Sequence, residues 1–386
     1  MHKIAYTIII IFFLNSVTAQ NYTSFKDIQY DKITDVNPNL LSLDIYKPKF
    51  FSGIRPVIIY IHGGYWRAGD KAQVGSKATL FTDSGYVFVS LNYRLSPYDF
   101  DTVSSTAIRF PVHPQDCAKA VGWVIRNISR YGGDSSKVSL IGHSAGAHLA
   151  LLLSTNEKIL QKEGISLSKI KCTCSLDCGV FDLLEEFQQA GNNISRRAPL
   201  LNAFGNDPSL YDDASPELNI APGKPLPRFH LVHQNTVDRV YANNKFNNKL
   251  LANAHPSSTL FNAKPYDHET INAALGNPMD NIGETQSVMN FHSKCLSSQS
   301  TSSKDLIDMD SNSIHLYPNP VKNTLFIKTE KDNLVRFQIA NSIGTLLQES
   351  NVTGNYIDVS NLFSGIYLVT FIDSNNNIYS VKFHKE

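Results

Sequence analysis

Ser144 lies at the centre of Val138-Ser-Leu-Ile-Gly-His-Ser-Ala-Gly-Ala147, where a short apolar run meets small residues and then a helix-forming stretch. The letters fit Gly-x-Ser-x-Gly, with Gly142 and Gly146 flanking the serine. A serine on a sharp strand-to-helix elbow adopts strained dihedrals. The flanking positions must be small, because a side chain there would strike the neighbouring strand or helix. Such an elbow holds a hydroxyl out as a nucleophile. The first N–H groups of the following helix have no intrahelical acceptor, so the N–H of Ala145 can face an oxyanion. The expected chemistry is acyl transfer through a covalent serine intermediate. A plain Gly-Ser turn is the alternative, and the apolar run before it and the helical run after it weigh against that.

A serine hydroxyl needs a base, and the base needs a carboxylate to orient it. His268, in Tyr266-Asp-His-Glu-Thr270, follows the last strand-like run of its region and is the expected base. Asp238, in Gln234-Asn-Thr-Val-Asp-Arg-Val240, follows the strand-like run before that one and is the expected acid, in the order serine, acid, histidine. Asp207 and Asp182 stand next in line for the acid. Of the other histidines, His143 and His148 are turned away by the elbow, and His255 is followed by Pro256 and precedes a strand. The second half of an oxyanion hole is expected in His62-Gly-Gly-Tyr-Trp66, which ends a continuous apolar run. There Gly63, Gly64 and Tyr65 can turn free N–H groups inward. Tyr65 and Trp66 either wall the acyl site, favouring short acyl groups, or pack beneath the turn as core. This chemistry requires no metal and no cofactor.

The elements that must hold these residues are legible from periodicity. Strand-like runs occur at Phe25 to Tyr30, Leu41 to Tyr46, Pro56 to Ile61, Tyr86 to Tyr93, Val138 to Ile141, Ile170 to Leu176, Arg228 to His233 and Thr259 to Ala263. Helical spacing marks Pro114 to Tyr131, Ala145 to Ser154 and roughly Val240 to Asn253. Strands separated by helices predict an α/β fold with a mostly parallel central sheet and helices on both faces. From Phe181 to Leu226 the pattern loosens, and this insertion reads as an irregular excursion, either a lid or decoration.

With 386 residues and 42% hydrophobic content, the chain is long enough for two domains. A net charge of +1 and the lack of any basic run with interleaved aromatics exclude an electrostatic nucleic-acid binder. Met1-His-Lys, the apolar run to Leu14 and the small residues ending at Ala19 form a signal peptide pattern, too short to span a bilayer stably. Five cysteines, Cys117, Cys172, Cys174, Cys178 and Cys295, imply no disulfide framework, and their pairing is open. Cys172, Cys174 and Cys178 match no common zinc spacing and read as small core side chains.

Residues from about 25 to 290 resemble the α/β-hydrolase superfamily. His62-Gly-Gly-Tyr-Trp-Arg-Ala-Gly-Asp-Lys71 and Gly142-His-Ser-Ala-Gly146 resemble its carboxylesterase and kynurenine-formamidase-like branch, as do Cys178-Gly-Val-Phe-Asp-Leu183 and Ala214-Ser-Pro216. The loop after the late strand departs from the branch's usual His-Gly, having Gln234. The resemblance implies a serine hydrolase acting on a small-molecule ester or amide, with carboxylesterase first, arylformamidase second, and a catalytically silent surface-binding module as the rival of another class.

Past Asn290 the composition turns polar and serine-rich, then short strand-like runs follow from Ile314: Leu325 to Thr329, Val335 to Ile339, Tyr356 to Val359, Gly365 to Phe371 and Tyr379 to Phe383. A small all-β sandwich is expected. Tyr317-Pro-Asn-Pro-Val321, Asp358-Val-Ser-Asn-Leu-Phe-Ser-Gly-Ile-Tyr367 and Val381-Lys-Phe-His-Lys-Glu386 resemble the C-terminal sorting domain of type IX secretion cargo of the Bacteroidetes. That resemblance implies a partner in the type IX machinery and a secreted or cell-surface location. A carbohydrate-binding or adhesion module is the weaker alternative. The expected division is a signal peptide at 1–19, a catalytic domain at 20–292, a flexible linker at 293–313 and the sorting domain at 314–386.

Overall fold

Runs in which every residue is apolar become strands buried on both faces, and the third strand illustrates it. Val57, Ile59 and Ile61 enter one core and Ile58 and Tyr60 the other, all of them buried. A computed structural model describes residues 20–297 and 314–386, apart from 330, 332, 342–345 and 375–377. The expected signal peptide lies outside the described residues, as does most of the expected linker. Among the described residues no helix is long and apolar enough to cross a membrane.

Eight strands form the central sheet: β1 (Tyr22–Gln29), β2 (Ser42–Pro48), β3 (Arg55–Ile61), β4 (Val87–Leu91), β5 (Gly133–His143), β6 (Ile170–Leu176), β7 (Arg228–His233) and β8 (Thr259–Asn262). Their lateral order is β1-β2-β4-β3-β5-β6-β7-β8. The pairs β1/β2 and β2/β4 are antiparallel and the rest parallel, so the C-terminal ends of β3 and β5 to β8 open on one edge. Helices α1 (Lys77–Asp83), α2 (Val112–Asn127), α3 (Ala145–Thr155) and α4 (Glu157–Gln161) come next in the chain. They are followed by α5 (Leu183–Ala190), α6 (Ile194–Phe204), α7 (Tyr211–Ala214), α8 (Val237–Ala252), α9 (His268–Ala274) and α10 (Glu284–Leu296). Helices α2 and α3 bury their apolar residues against one face of the sheet, and α1, α9 and α10 against the other.

Three expectations change. The insertion between β6 and β7 is helical rather than irregular. The Asp182 carboxylate accepts from the Glu185 N–H to cap α5, and Asn193 accepts from the Arg196 N–H to cap α6. Phe187, Leu200, Phe204 and Tyr211 anchor these short helices in the α2/α3 core. The linker boundary also moves. Residues 293–296 belong to α10, whose Val288, His292 and Leu296 are buried, so the polar composition there marks the outer side of a helix. Finally, Cys172 is not a free core thiol. It forms a disulfide with Cys295, tying β6 to the end of α10, while Cys117, Cys174 and Cys178 are free and buried. Closing so long a loop should matter to stability. Cys295→Ser is expected to cost about 2–4 kcal/mol of unfolding free energy, read by denaturant titration, and reducing agent should destabilise the unmutated chain to the same degree.

The C-terminal unit holds β9 (Ile314–Tyr317), β10 (Thr324–Thr329), β11 (Leu334–Asn341), β12 (Leu346–Asn351), β13 (Tyr356–Asp358), β14 (Gly365–Asp373) and β15 (Ile378–Lys385). They form two antiparallel sheets, β13-β10-β9 and β12-β11-β14-β15. The inner faces share one core, with Leu325 and Ile357 from one sheet meeting Ile339, Val369 and Phe371 from the other.

Candidate active site

The strand register assembles the site. His143 at the end of β5 pairs with Leu176 at the end of β6, and Leu176 pairs with Val232 of β7. The next residues on β5 and β6, Ser144 and Asp177, are therefore neighbours at the open edge. Two main-chain bonds hold them there: the Ser144 N–H donates to the Leu176 carbonyl at 3.0 Å, and the Asp177 N–H to the Val232 carbonyl at 2.8 Å. Ser144 has φ 55° and ψ −119°, the strained elbow that the Gly-x-Ser-x-Gly pattern predicts. The two glycines are sterically required. A Cβ on Gly142 would stand 2.2 Å from the Gly146 carbonyl oxygen, and one on Gly146 would stand 2.1 Å from that of Ile61.

His268 is the first residue of α9, a helix capped by Asp267, whose side chain accepts from the Thr270 N–H at 2.8 Å. Its Nε2 lies 2.9 Å from Ser144 Oγ and its Nδ1 lies 2.6 Å from Asp177 Oδ2. An ionised carboxylate only accepts, so Nδ1–H donates to Asp177 and the bare Nε2 accepts from the serine hydroxyl. Asp177 is completely buried. Its carboxylate also accepts from the Gln234 main-chain N–H and from Gln234 Nε2, each at 3.0 Å, and Arg239 Nε lies 3.6 Å away. Burial alone would raise this carboxyl, but the hydrogen bond to His268, the Arg239 charge and the Gln234 N–H together hold it below the ordinary carboxylate range. His143, packed 4.6 Å from the His268 ring, donates its Nε2–H to the His268 carbonyl, and burial and the neighbouring imidazole push it down to about 3.

The expected acid is thereby corrected. Asp238 is exposed in the first turn of α8 and makes no hydrogen bond with His268. It lines the cleft, while the carboxylate against the imidazole comes from one strand nearer to the serine. Asp182 and Asp207, next in line, are helix caps. Gln234 carried the available signal. The residue that departs from His-Gly in the β7 loop is the one that grips Asp177 with both of its donors.

The glycine turn lies beside the serine. A Cβ on Gly63 would come within 3.1 Å of Ser144 Cβ and 2.9 Å of the His143 carbonyl oxygen. Gly64, Tyr65 and Trp66 follow with φ of 112°, 55° and 58°, an expensive run for two bulky side chains. Among the described residues the N–H groups of Gly63, Gly64, Tyr65 and Ala145 have no acceptor outside helices and strands. Trp66 is buried between His148 and Phe204, whereas Tyr65 is half-exposed with its ring edge-on to Phe100. Both line a cleft of about 460 Å3 that has Ser144 and His268 in its wall and α5 and α6 of the insertion on its far side.

Residues 43–250, just over half of the chain, match the BD-FAE family. The chain belongs to the BD-FAE family. Its fold is that of the α/β-hydrolases, and residues 315–386 are a secretion system C-terminal sorting domain. Among curated proteins, this BD-FAE chain is 34% identical to Esterase LipQ of Mycobacterium tuberculosis over 45% of its own length and 41% of that protein. It is 30% identical to isoprenylcysteine alpha-carbonyl methylesterase ICME of Arabidopsis thaliana over 46% of its length and 40% of the relative. The chain thus spans about two fifths of each of these two relatives. Of the solved structures, a thermophilic esterase from the Planctomycetes species Thermogutta terrifontis superposes with a TM-score of 0.56 at 20% identity, covering 72% of this chain and 95% of that one. Esterase B from Lactobacillus rhamnosis does so with 0.56 at 20% identity, covering 72% and 86%. At such identities the likeness is one of fold.

Proposed function

We propose that this BD-FAE chain is an exported serine hydrolase that cleaves carboxylic esters of short acyl groups, with Ser144 as nucleophile, His268 as base and Asp177 as the orienting acid. One observation carries the reading: a strained serine whose hydroxyl meets an imidazole at 2.9 Å, with that imidazole held at 2.6 Å by a fully buried carboxylate. Ser144 Oγ adds to the carbonyl carbon as His268 Nε2 takes its proton, and Asp177 stabilises the imidazolium so formed. N–H groups of Ala145 and of the Gly63 to Tyr65 turn receive the oxyanion, where loss of one donor typically costs about 3 kcal/mol of barrier. The tetrahedral intermediate expels the alcohol, which takes the proton from His268. Water then adds to the acyl-serine with His268 again as base, the acid leaves, and Ser144 regains its proton.

Relatives named as esterases support the reaction class, and the sorting domain supports export through the type IX route to the cell surface or beyond. The short-acyl preference rests on Trp66, immobilised between His148 and Phe204 beside Ser144, and on Tyr65 at the rim. For 4-nitrophenyl esters, kcat/KM is expected to fall at least roughly tenfold from acetyl to decanoyl, and Ser144→Ala should abolish turnover. A steady rise toward decanoyl would overturn the short-acyl preference, and turnover that survives Ser144→Ala would overturn the mechanism.

A further inference from the structure

Asp177 is the orienting acid of the proposed reaction, and what holds Asp177 lies on the loop and helix that follow β7. Gln234 supplies two hydrogen bonds, and Arg239, in the first turn of α8, stands with Nε 3.6 Å from Asp177 Oδ2. Its guanidinium lies across Gly179. A Cβ built on that glycine would stand 1.8 Å from one terminal nitrogen of Arg239, 2.6 Å from Cζ and 2.8 Å from the other nitrogen. The backbone at Gly179 is not in the left-handed region, so it does not itself demand glycine. The space above it is what is being used. Arg239 also lines the cleft beside Ser144 and His268, a quarter exposed, so its charge is only partly screened from the buried carboxylate.

We propose that Arg239 is a positioning residue of this site, acting on His268 through Asp177, and that position 179 is glycine because the missing Cβ is the space in which the guanidinium lies. The inference rests on Asp177 being the acid of the reaction above. A carboxylate with no exposure keeps its charge and its orientation only if its neighbours favour the ionised form. Arg239 supplies the positive charge, and Gln234 supplies the direction. The other titratable groups that face Asp177 are His268 from α9, which favours the ionised carboxylate through its hydrogen bond and its charge, and His143 from β5, Glu284 from α10 and the adjacent Cys178 thiol; none of them is a permanent cation.

Two variants reach the same contact from opposite sides. Arg239→Gln removes the charge. Gly179→Ala leaves the arginine in the chain but forces its flexible end away, a change the backbone tolerates. With 4-nitrophenyl acetate and the full chain, each is expected to lower kcat by roughly tenfold to a hundredfold. Each should also move the acidic limb of the kcat/KM profile to higher pH, because removing the cation makes protonation of the Asp177 carboxylate easier. Arg239→Lys should return the limb part of the way, since it restores charge without the planar fork. The Gly179→Ala, Arg239→Gln double variant should be no slower than Arg239→Gln alone.

An unmoved acidic limb in Arg239→Gln, or losses that multiply in the double variant, would overturn the inference. Asp177→Asn run alongside separates the two levels. If it keeps full turnover, the assignment of the acid has failed. If it is inert while Arg239→Gln matches the unmutated chain, only the role of Arg239 has failed.

Discussion

Asp177→Asn should lower kcat by about four orders of magnitude, while Asp238→Asn stays within about threefold of the unmutated chain. The imidazole explains the difference. With an aspartate 2.6 Å from Nδ1, His268 keeps its proton on that nitrogen and offers a bare Nε2 to Ser144. An asparagine there can present its NH2 group, which leaves Nδ1 as the acceptor and puts the proton on Nε2, where it can no longer take one from the serine. The fold should survive, because the Gln234 main-chain N–H can still donate to the asparagine carbonyl oxygen, and the Gln234 side-chain amide can turn its own oxygen toward the new NH2 group. Asp238, exposed and without a bond to His268, has no such hold on the ring. Steady-state kinetics on an aryl acetate, with circular dichroism to check folding, decides between them. A severe loss in Asp238→Asn with near-normal turnover in Asp177→Asn would return the acid to the β7 loop.

Gly146→Ala is expected to destabilise the hydrolase domain by more than about 4 kcal/mol and to yield little soluble protein. The added Cβ would stand 2.1 Å from the Ile61 carbonyl oxygen, 2.4 Å from that of His62 and 2.7 Å from the Ile61 carbonyl carbon. These are main-chain atoms at the end of a strand hydrogen-bonded on both sides, so no rotamer change relieves the collision. Moving them would also shift the glycine turn and the oxyanion donors proposed for it. Gly122→Ala is the matched control. It lies inside α2, and its Cβ would meet only the mobile guanidinium of Arg126 at 3.0 Å, so the change should be neutral or stabilise by up to about 1 kcal/mol. Scanning calorimetry on both proteins reads the contrast, and a Gly146→Ala domain as stable as the unmutated one would refute the steric account of the elbow.

The sequence by itself determined what depends on neighbours along the chain. Pro56 to Ile61 is a strand because its run is apolar throughout, Ile170 to Leu176 because apolar residues recur at every second position, and β6 and β7 begin and end where the runs Ile170 to Leu176 and Arg228 to His233 do. The elbow at Ser144 is legible because strand, small residues and helix succeed one another within a few positions. His268 is legible from chain order after the last strand of the sheet. The tail's strands alternate in burial from one residue to the next, the period of two that a pleated strand imposes.

Tertiary structure decided what depends on lateral neighbours. Whether the carboxylate comes from the end of β6 or of β7 is a question of which strand end lies within hydrogen-bond reach of the imidazole. No periodicity along either strand encodes that distance. Asp177 is reached because β6 sits between β5 and β7, in a register that places Leu176 beside both His143 and Val232. The Cys172–Cys295 bond joins residues far apart in the chain for the same reason, as α10 packs across the strand that carries Cys172. Arg239 over Gly179 completes the pattern. A glycine in an ordinary backbone conformation and an arginine on a helix acquire a joint meaning only when packing brings them into contact, because electrostatic and steric interactions act through space.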